Sequence, residues 1–327
     1  MKIAAAMVLA AGRGERMRPL SNVLPKPALP LFEQPVVASA LRLATTLGTE
    51  RLVVNTWHLA DAMERALTEV ELGIEIAVSR ETQLMDTAGG IALARDRGLL
   101  GDSGPVLIVN GDGLLSLDLG PLLERMTHTD DLVSLALLPH LDPRRWSRVI
   151  LDQGGNLSRI KKPGRPEPNE APFLYPGVML VAREALNDLA ARPGAIPECL
   201  WEPALAMKRL GGVVVPGHWR EVGTPSEYLE AALDRLNGGG ATIHPSADIH
   251  PSAAIGSALI GRNARIEEGS VVGEAVIAEG ATVARRARVM RSVLLGDVAT
   301  DPEEVVVGEF RASPVSTCSS LFATSGG

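Results

Sequence analysis

Apolar positions in the first 236 residues form short unbroken runs at Ile3 to Leu9, Leu52 to Asn55, Ile74 to Val78 and Val106 to Asn110. Between them, near Val36 to Leu47, Leu59 to Leu67 and Ala88 to Arg97, apolar side chains recur close to the helical period. A strand that is apolar on both faces has to be covered on both. The alternation therefore predicts an α/β domain with a mostly parallel sheet flanked by helices, Rossmann-like in its layering. Ligands of such sheets bind where strands end and loops begin.

A predicted helix from Pro225 to Leu236 runs into Asn237-Gly238-Gly239-Gly240, which punctuates the chain. Beyond it the pattern repeats. Ile243, Ile260, Ile277 and Leu294 stand 17 residues apart, as do Ile249, Ile266 and Val283, and Ile255, Val272 and Val289. Within each 17 the branched aliphatics fall at steps of six, six and five, the spacing of a coil with three flat faces that buries one aliphatic per face. A small β-sandwich has no reason to hold three such registers at once. The pattern resembles the hexapeptide-repeat left-handed parallel β-helix and ends after Asp301-Pro302, leaving Ser313 to Gly327 as a cap or tail. The expected organisation is a catalytic domain over 1–238, a β-helix over 239–300 and a terminal segment over 301–327.

Composition narrows the field. The chain has 327 residues, 46% hydrophobic and 22% charged, which favours two folded domains and leaves little for a long disordered region. A net charge of -7 argues against nucleic acid as a partner, because phosphate backbones are held by an excess of cations. Cys199 and Cys318 have no paired spacing, so neither a zinc site nor a disulfide framework is expected. The apolar run ending at Leu9 is too short for a signal peptide core or a membrane span, which predicts a cytoplasmic protein without a membrane partner.

The most informative segment is L-A-A-G-R-G-E-R-M-R-P-L, Leu9 to Leu20, followed by L-P-K-P-A-L-P, Leu24 to Pro30. Ala10, Ala11, Gly12 and Gly14 lack bulky side chains, so their amides can approach an anion closely. Arg16 and Lys26 add positive charge to the same run, directly after a predicted strand. The spacing fits neither a Walker A loop nor a dinucleotide fingerprint. A second candidate is Asn110-Gly111-Asp112, which puts a carboxylate at a strand's end; it reads either as a Mg²⁺ ligand or as an ordinary turn.

These motifs resemble the nucleoside-diphosphate-sugar pyrophosphorylase family, the sugar-1-phosphate nucleotidyltransferases. Glu15 and Met17 are similar to N-acetylmuramate-1-phosphate uridylyltransferases, whereas the appended β-helix is similar to mannose-1-phosphate guanylyltransferases. The resemblance implies that Leu9, Ala10, Ala11, Gly12, Gly14, Arg16 and Lys26 bind the nucleotide. It adds the backbone of Ala88 and Gly89 in D-T-A-G-G-I facing the base, although Thr87 in the same stretch also reads as a helix cap. It implies Asn110, Lys162 and Gly177 on the sugar phosphate, and Asp112 with Glu221 on Mg²⁺.

Three positions depart from the family. Glu221 stands where the family has Asp, Lys161 where it has Glu, and Tyr175-Pro176 where it has Asn and a small residue. Lys161 raises the expectation of an acidic sugar paired with its ammonium. The resemblance implies catalysis by Arg16, Lys26 and Asp112, with a nucleoside triphosphate and a sugar 1-phosphate as partners. GTP with mannose 1-phosphate comes first, UTP with N-acetylmuramate 1-phosphate is the alternative, and a silent regulatory relative is the third reading. Flat aliphatic faces on the β-helix raise the expectation of homo-oligomer contacts.

Overall fold

The computed structural model describes residues 1–31, 34–140, 142–167, 170–236 and 240–314. The expected boundary at 238 and the tail from 315 onward lie outside the described residues. The chain divides into two compact units. One comprises Met1–Gly12, Val37–Trp57 and Leu72–Arg220, and the other Arg13–Val36, His58–Glu71 and Glu221–Gly327. The units interleave along the chain, so a single cut after 238 does not separate them.

The first unit is built on a ten-stranded sheet. Its strands include β1 (Ala5–Leu9), β2 (Leu52–Thr56), β3 (Ile76–Arg80) and β4 (Val106–Asn110), which lie parallel in the order β3-β2-β1-β4. As the apolar runs predict, β1, β2 and β4 are buried almost throughout. Strand β5 (Gly113–Leu117) follows β4 outside this sheet. Beyond β4 the sheet turns antiparallel through β6 (Val133–Pro139), β7 (Arg148–Leu151), β8 (Leu157–Lys161), β9 (Phe173–Leu174) and β10 (Val178–Val181). Strand β11 (Leu210–Val214) rejoins β6 in parallel. Helices α1 (Ala38–Thr45), α3 (Asp86–Asp96) and α4 (Gly120–His128) belong to this unit, and α2 (Ala60–Thr68) to the other. Among the described residues no helix is long and apolar enough to cross a membrane.

The second unit contains the stacked coils, and the 17-residue registers are its hydrogen-bonded ladders. Ile243, Ile260, Ile277 and Leu294 are successive parallel partners, as are Ile249, Ile266 and Val283, and Ile255, Val272 and Val289. The stack does not stop at 300. Val289 pairs onward with Val306, and Leu294 with Arg311, because Val306 continues the register and is fully buried. The two H-P-S segments are corners. In each, the serine amide donates to the histidine Nδ1, and Ser246 and Ser252 Oγ accept from Asn263 and Gly269, 17 residues on in the next coil. Helix α5 (Pro225–Asp234) packs on the coils and starts at Thr224, whose Oγ1 accepts from the Glu227 amide.

Candidate active site

Three parallel strands of the first unit end together. Leu9, the last residue of β1, is the register partner of both Asn55 and Asn110, so two asparagines flank the point where the Gly-rich loop leaves the sheet. Asn55 is buried and works in both directions. Its Oδ1 accepts from the Ala10 amide at 2.8 Å, while its Nδ2 donates to Glu81 Oε1 at 2.8 Å. Because the Ala10 amide can only donate, the Asn55 carbonyl must face it and the amino group must face Glu81. Glu81 Oε2 accepts from the Met85 amide at 3.0 Å. Burial nevertheless pushes the Glu81 carboxyl above the ordinary carboxylate range, desolvation outweighing the two hydrogen bonds that favour its charge.

The predicted loop thus divides its amides. That of Ala10 is spent on Asn55, and among the described residues those of Ala11 and Gly12 meet no protein acceptor. On the other side of β1, the Gly111 amide donates to the Leu9 carbonyl at 2.9 Å, which fixes the turn that carries Asp112. Asn110 donates its amide to the Gly177 carbonyl at 2.8 Å. Gly177 has φ +88°, and a Cβ there would fall 2.6–2.7 Å from Asn110 side-chain atoms, so only glycine allows the approach. Leu9, Ala10, Asn110, Asp112 and Gly177 are therefore one neighbourhood at the strand ends.

Two expectations need correction. The amides of Ala88 and Gly89 both donate to the Gly194 carbonyl, at 2.9 and 3.2 Å, so those donors face protein. Thr87 is not the cap of α3; its Oγ1 accepts from the Ile196 amide at 2.9 Å, and the helix begins at Asp86. All three residues bond to the segment around 194–196, which sequence periodicity cannot anticipate.

Lys161 and Lys162 diverge at the end of β8. Lys162 is exposed. Lys161 Nζ contacts Glu167 Oε1 at 2.5 Å and Glu170 Oε2 at 3.1 Å, so its charge is met within the chain and gives no ground for an acidic sugar. Lys161 lowers the pKa of Glu167, while that of Glu170 is lowered first by the Glu167 amide and then by Lys161 and Arg148.

In the second unit, Gly14 takes φ 61° at the start of a short turn over Glu15–Met17. Arg16 Nη2 lies 3.0 Å from Glu221 Oε1, with the arginine side chain 68% exposed and the glutamate 18%. Lys26 is buried at the start of a short turn, with Pro25 and Pro27 on either side of it in sequence. Beyond Glu221, Glu227 Oε2 accepts from the Gly223 amide at 2.8 Å and holds the approach to α5. The loop, Asp112 and the sugar-phosphate candidates are thus held by the first unit, and Gly14, Arg16, Lys26 and Glu221 by the second.

A family model described as Nucleotidyl transferase matches residues 5–238. The chain belongs to this nucleotidyl transferase family. Mannose-1-phosphate guanylyltransferase 1 of Arabidopsis thaliana is 26% identical to it over 228 residues, 68% of this chain and 62% of that protein. The probable mannose-1-phosphate guanylyltransferase 3 of Oryza sativa subsp. japonica is 26% identical over 271 residues, 77% of this chain and 74% of that protein. The first of these alignments thus spans somewhat under two thirds of the relative's length. HddC from Yersinia pseudotuberculosis, in its crystal structure complexed with GMP-PN, superposes with a TM-score of 0.59 at 18% identity, covering 72% of this chain and all of that one, which shows the shared fold.

Within this nucleotidyl transferase, sequence reading missed Asn55, Glu81, Arg148 and Glu170. Asn55 carried a signal, as a polar residue closing an apolar strand just as Asn110 does. The others become visible only through their partners.

Proposed function

We propose that the chain transfers a nucleotidyl group from a nucleoside triphosphate to a sugar 1-phosphate, with GTP and mannose 1-phosphate as the first pair to test. The observation that carries this reading is the loop after β1. Asn55 anchors it through Ala10, the next two amides have no acceptor among the described residues, and Asp112 follows the adjacent strand. The names of the guanylyltransferase relatives supply the choice of base and sugar.

An oxygen of the sugar phosphate attacks the α-phosphorus, a new P–O bond forms, and the bond to the β-phosphate breaks to release pyrophosphate. No protein nucleophile is needed, because the attacking phosphate is already ionised. The chain's task is alignment and charge neutralisation. Lys162 meets the sugar phosphate, Lys26 the α-phosphate and Arg16 the departing pyrophosphate. Arg16 is shared with Glu221 through an ion pair whose arginine is largely exposed, so exchanging it for a phosphate costs little on the arginine's side.

Asp112 and Glu221 are each the kind of donor a divalent cation would take, Mg²⁺ by preference, since hard cations take oxygen donors and usually complete one or two carboxylates with substrate phosphates. When bound, such a cation supplies Lewis-acid polarisation of phosphoryl oxygens. Cys199 is a free thiol, which fits a cytoplasmic setting, and the coils are the proposed surface for self-association.

The test is to incubate the full chain with each nucleoside triphosphate, a panel of sugar 1-phosphates and Mg²⁺, and to measure pyrophosphate. Release with GTP and mannose 1-phosphate is expected. Release with UTP and N-acetylmuramate 1-phosphate transfers the assignment to that pair. Silence with every pair favours a regulatory relative.

A further inference from the structure

The hairpin of β7 and β8 contains a like-charged pair. Arg148 and Lys161 are direct partners across it, and two cations opposite each other on a sheet repel. Glu170 resolves the conflict. Its side chain is 4% exposed; Oε1 accepts from Arg148 Nη1 at 2.9 Å, and Oε2 from Lys161 Nζ at 3.1 Å and the Glu167 amide at 3.0 Å.

The rest of the Arg148 guanidinium holds the following segment. Nε and Nη2 donate to the Lys162 carbonyl at 3.4 and 3.3 Å, and Nη1 also reaches the Arg165 carbonyl at 3.1 Å. The Gly164 amide, between those carbonyls, donates to Pro143 at 2.8 Å. Lys162 therefore has an exposed side chain on a backbone pinned by a buried guanidinium, which Glu170 in turn orients. A planar fork that binds two carbonyls and a carboxylate at once fixes direction as well as distance, which a point charge does not.

We propose that Glu170, acting through Arg148, is a positioning residue that sets Lys162 for the phosphate of the sugar 1-phosphate, so that Arg148, Lys161 and Glu170 form a clasp on the sugar side of the reaction. This rests on the reading that Lys162 meets that phosphate. The clasp also accounts for Lys161, which completes the charge on Glu170 rather than selecting a substrate. In Glu170→Gln one accepting oxygen becomes an amino group that faces a donor, and the two hairpin cations lose their shared anion.

The experiment compares Lys162→Ala, Glu170→Gln and Arg148→Lys in the full chain. It measures calorimetric affinity for mannose 1-phosphate together with the separate KM values for mannose 1-phosphate and GTP. Misplacing a positioned group costs about tenfold or more, so all three variants should weaken mannose 1-phosphate to that extent and leave the KM for GTP within about twofold. If Lys162→Ala leaves mannose 1-phosphate affinity intact, or the unaltered chain does not bind it, the underlying reading fails and the clasp with it. If Lys162→Ala weakens binding while Glu170→Gln and Arg148→Lys do not, positioning alone is overturned. Equal loss for both substrates, with a lowered Tm, also overturns it, by showing a general structural role. Arg148→Lys keeps the test decisive should Glu170→Gln fail to fold.

Discussion

Arg16 donates from Nη2 to Glu221 Oε1 across 3.0 Å, joining residues 205 positions apart in sequence. Each was expected to meet a different part of a charged substrate, the arginine a phosphate and the glutamate a cation. Here they neutralise each other. An ion pair with so exposed an arginine contributes only about 0–1 kcal/mol to stability.

Arg16→Ala should therefore separate function from stability. Loss of one preorganised positive group lowers turnover by about a hundredfold or more, while the midpoint of thermal unfolding should hardly move. Pyrophosphate release and a melting curve on the same preparation check both halves. Unchanged turnover removes Arg16 from the reaction.

Asn55→Ala should act in the opposite way, through the scaffold. It leaves the buried Ala10 amide and Glu81 Oε1 without the partner that Asn55 supplied, Oε2 keeping the Met85 amide, and a buried polar group left unsatisfied costs about 1–3 kcal/mol. Urea unfolding should show that loss. The KM for the triphosphate should rise as well, since the loop loses its anchor.

Glu81 gives the fold a pH dependence of definite sign. Its folded pKa lies above its unfolded value because burial outweighs its hydrogen bonds, so the native state holds the proton more tightly than the unfolded chain. Its contribution to stability therefore falls as pH rises from the unfolded pKa through the folded one. Measured by urea unfolding, the stability of the unaltered chain minus that of Glu81→Gln should decline over this window. A difference that grows with pH would contradict the assignment.

Much of this was legible in the chain itself, for reasons particular residues make plain. Two-sided burial wrote β1, β2 and β4 as apolar runs, and the ladder of Ile260, Ile277 and Leu294 wrote the coil period directly. The solenoid's last turn was hidden because Arg311 occupies the ladder position where an aliphatic was expected. The ion pairs of Lys161 were hidden for a similar reason. Its partners Glu167 and Glu170 stand six and nine residues on, at no spacing that any regular element would bring together. Asn55 and Glu81 depend on two separate strands ending side by side, which is a property of the sheet and not of either segment.

Gly177→Ala should injure the sugar side selectively. An alanine would be held at φ +88° with its Cβ 2.6–2.7 Å from Asn110 atoms, so Asn110 must move or the turn must open. Overpacking of this kind costs about 1–3 kcal/mol in stability. Because Asn110 and Gly177 meet at the strand ends, the KM for the sugar 1-phosphate should rise more than that for the triphosphate. Steady-state kinetics with each substrate varied in turn will show which side is affected.

Ile243 and Ile277 occupy the same ladder position two coils apart, yet Ile277 is fully buried while Ile243 is 42% exposed. Stacking explains the contrast. An aliphatic inside the stack is enclosed by the coils before and after it, whereas Ile243 belongs to the first strand of its ladder and has a coil on one side only. A truncation inside the stack removes packing that cannot be recovered, so Ile277→Ala should cost about 2–5 kcal/mol. Ile243→Ala removes a side chain that already meets water over much of its surface and should cost well under half as much. Equal losses on urea unfolding would mean that the first coil is covered as completely as the third, most simply by a second copy of the chain. Repeating the Ile243→Ala measurement across protein concentrations tests that directly, because a contact between copies makes the loss depend on concentration and a covering within one chain does not.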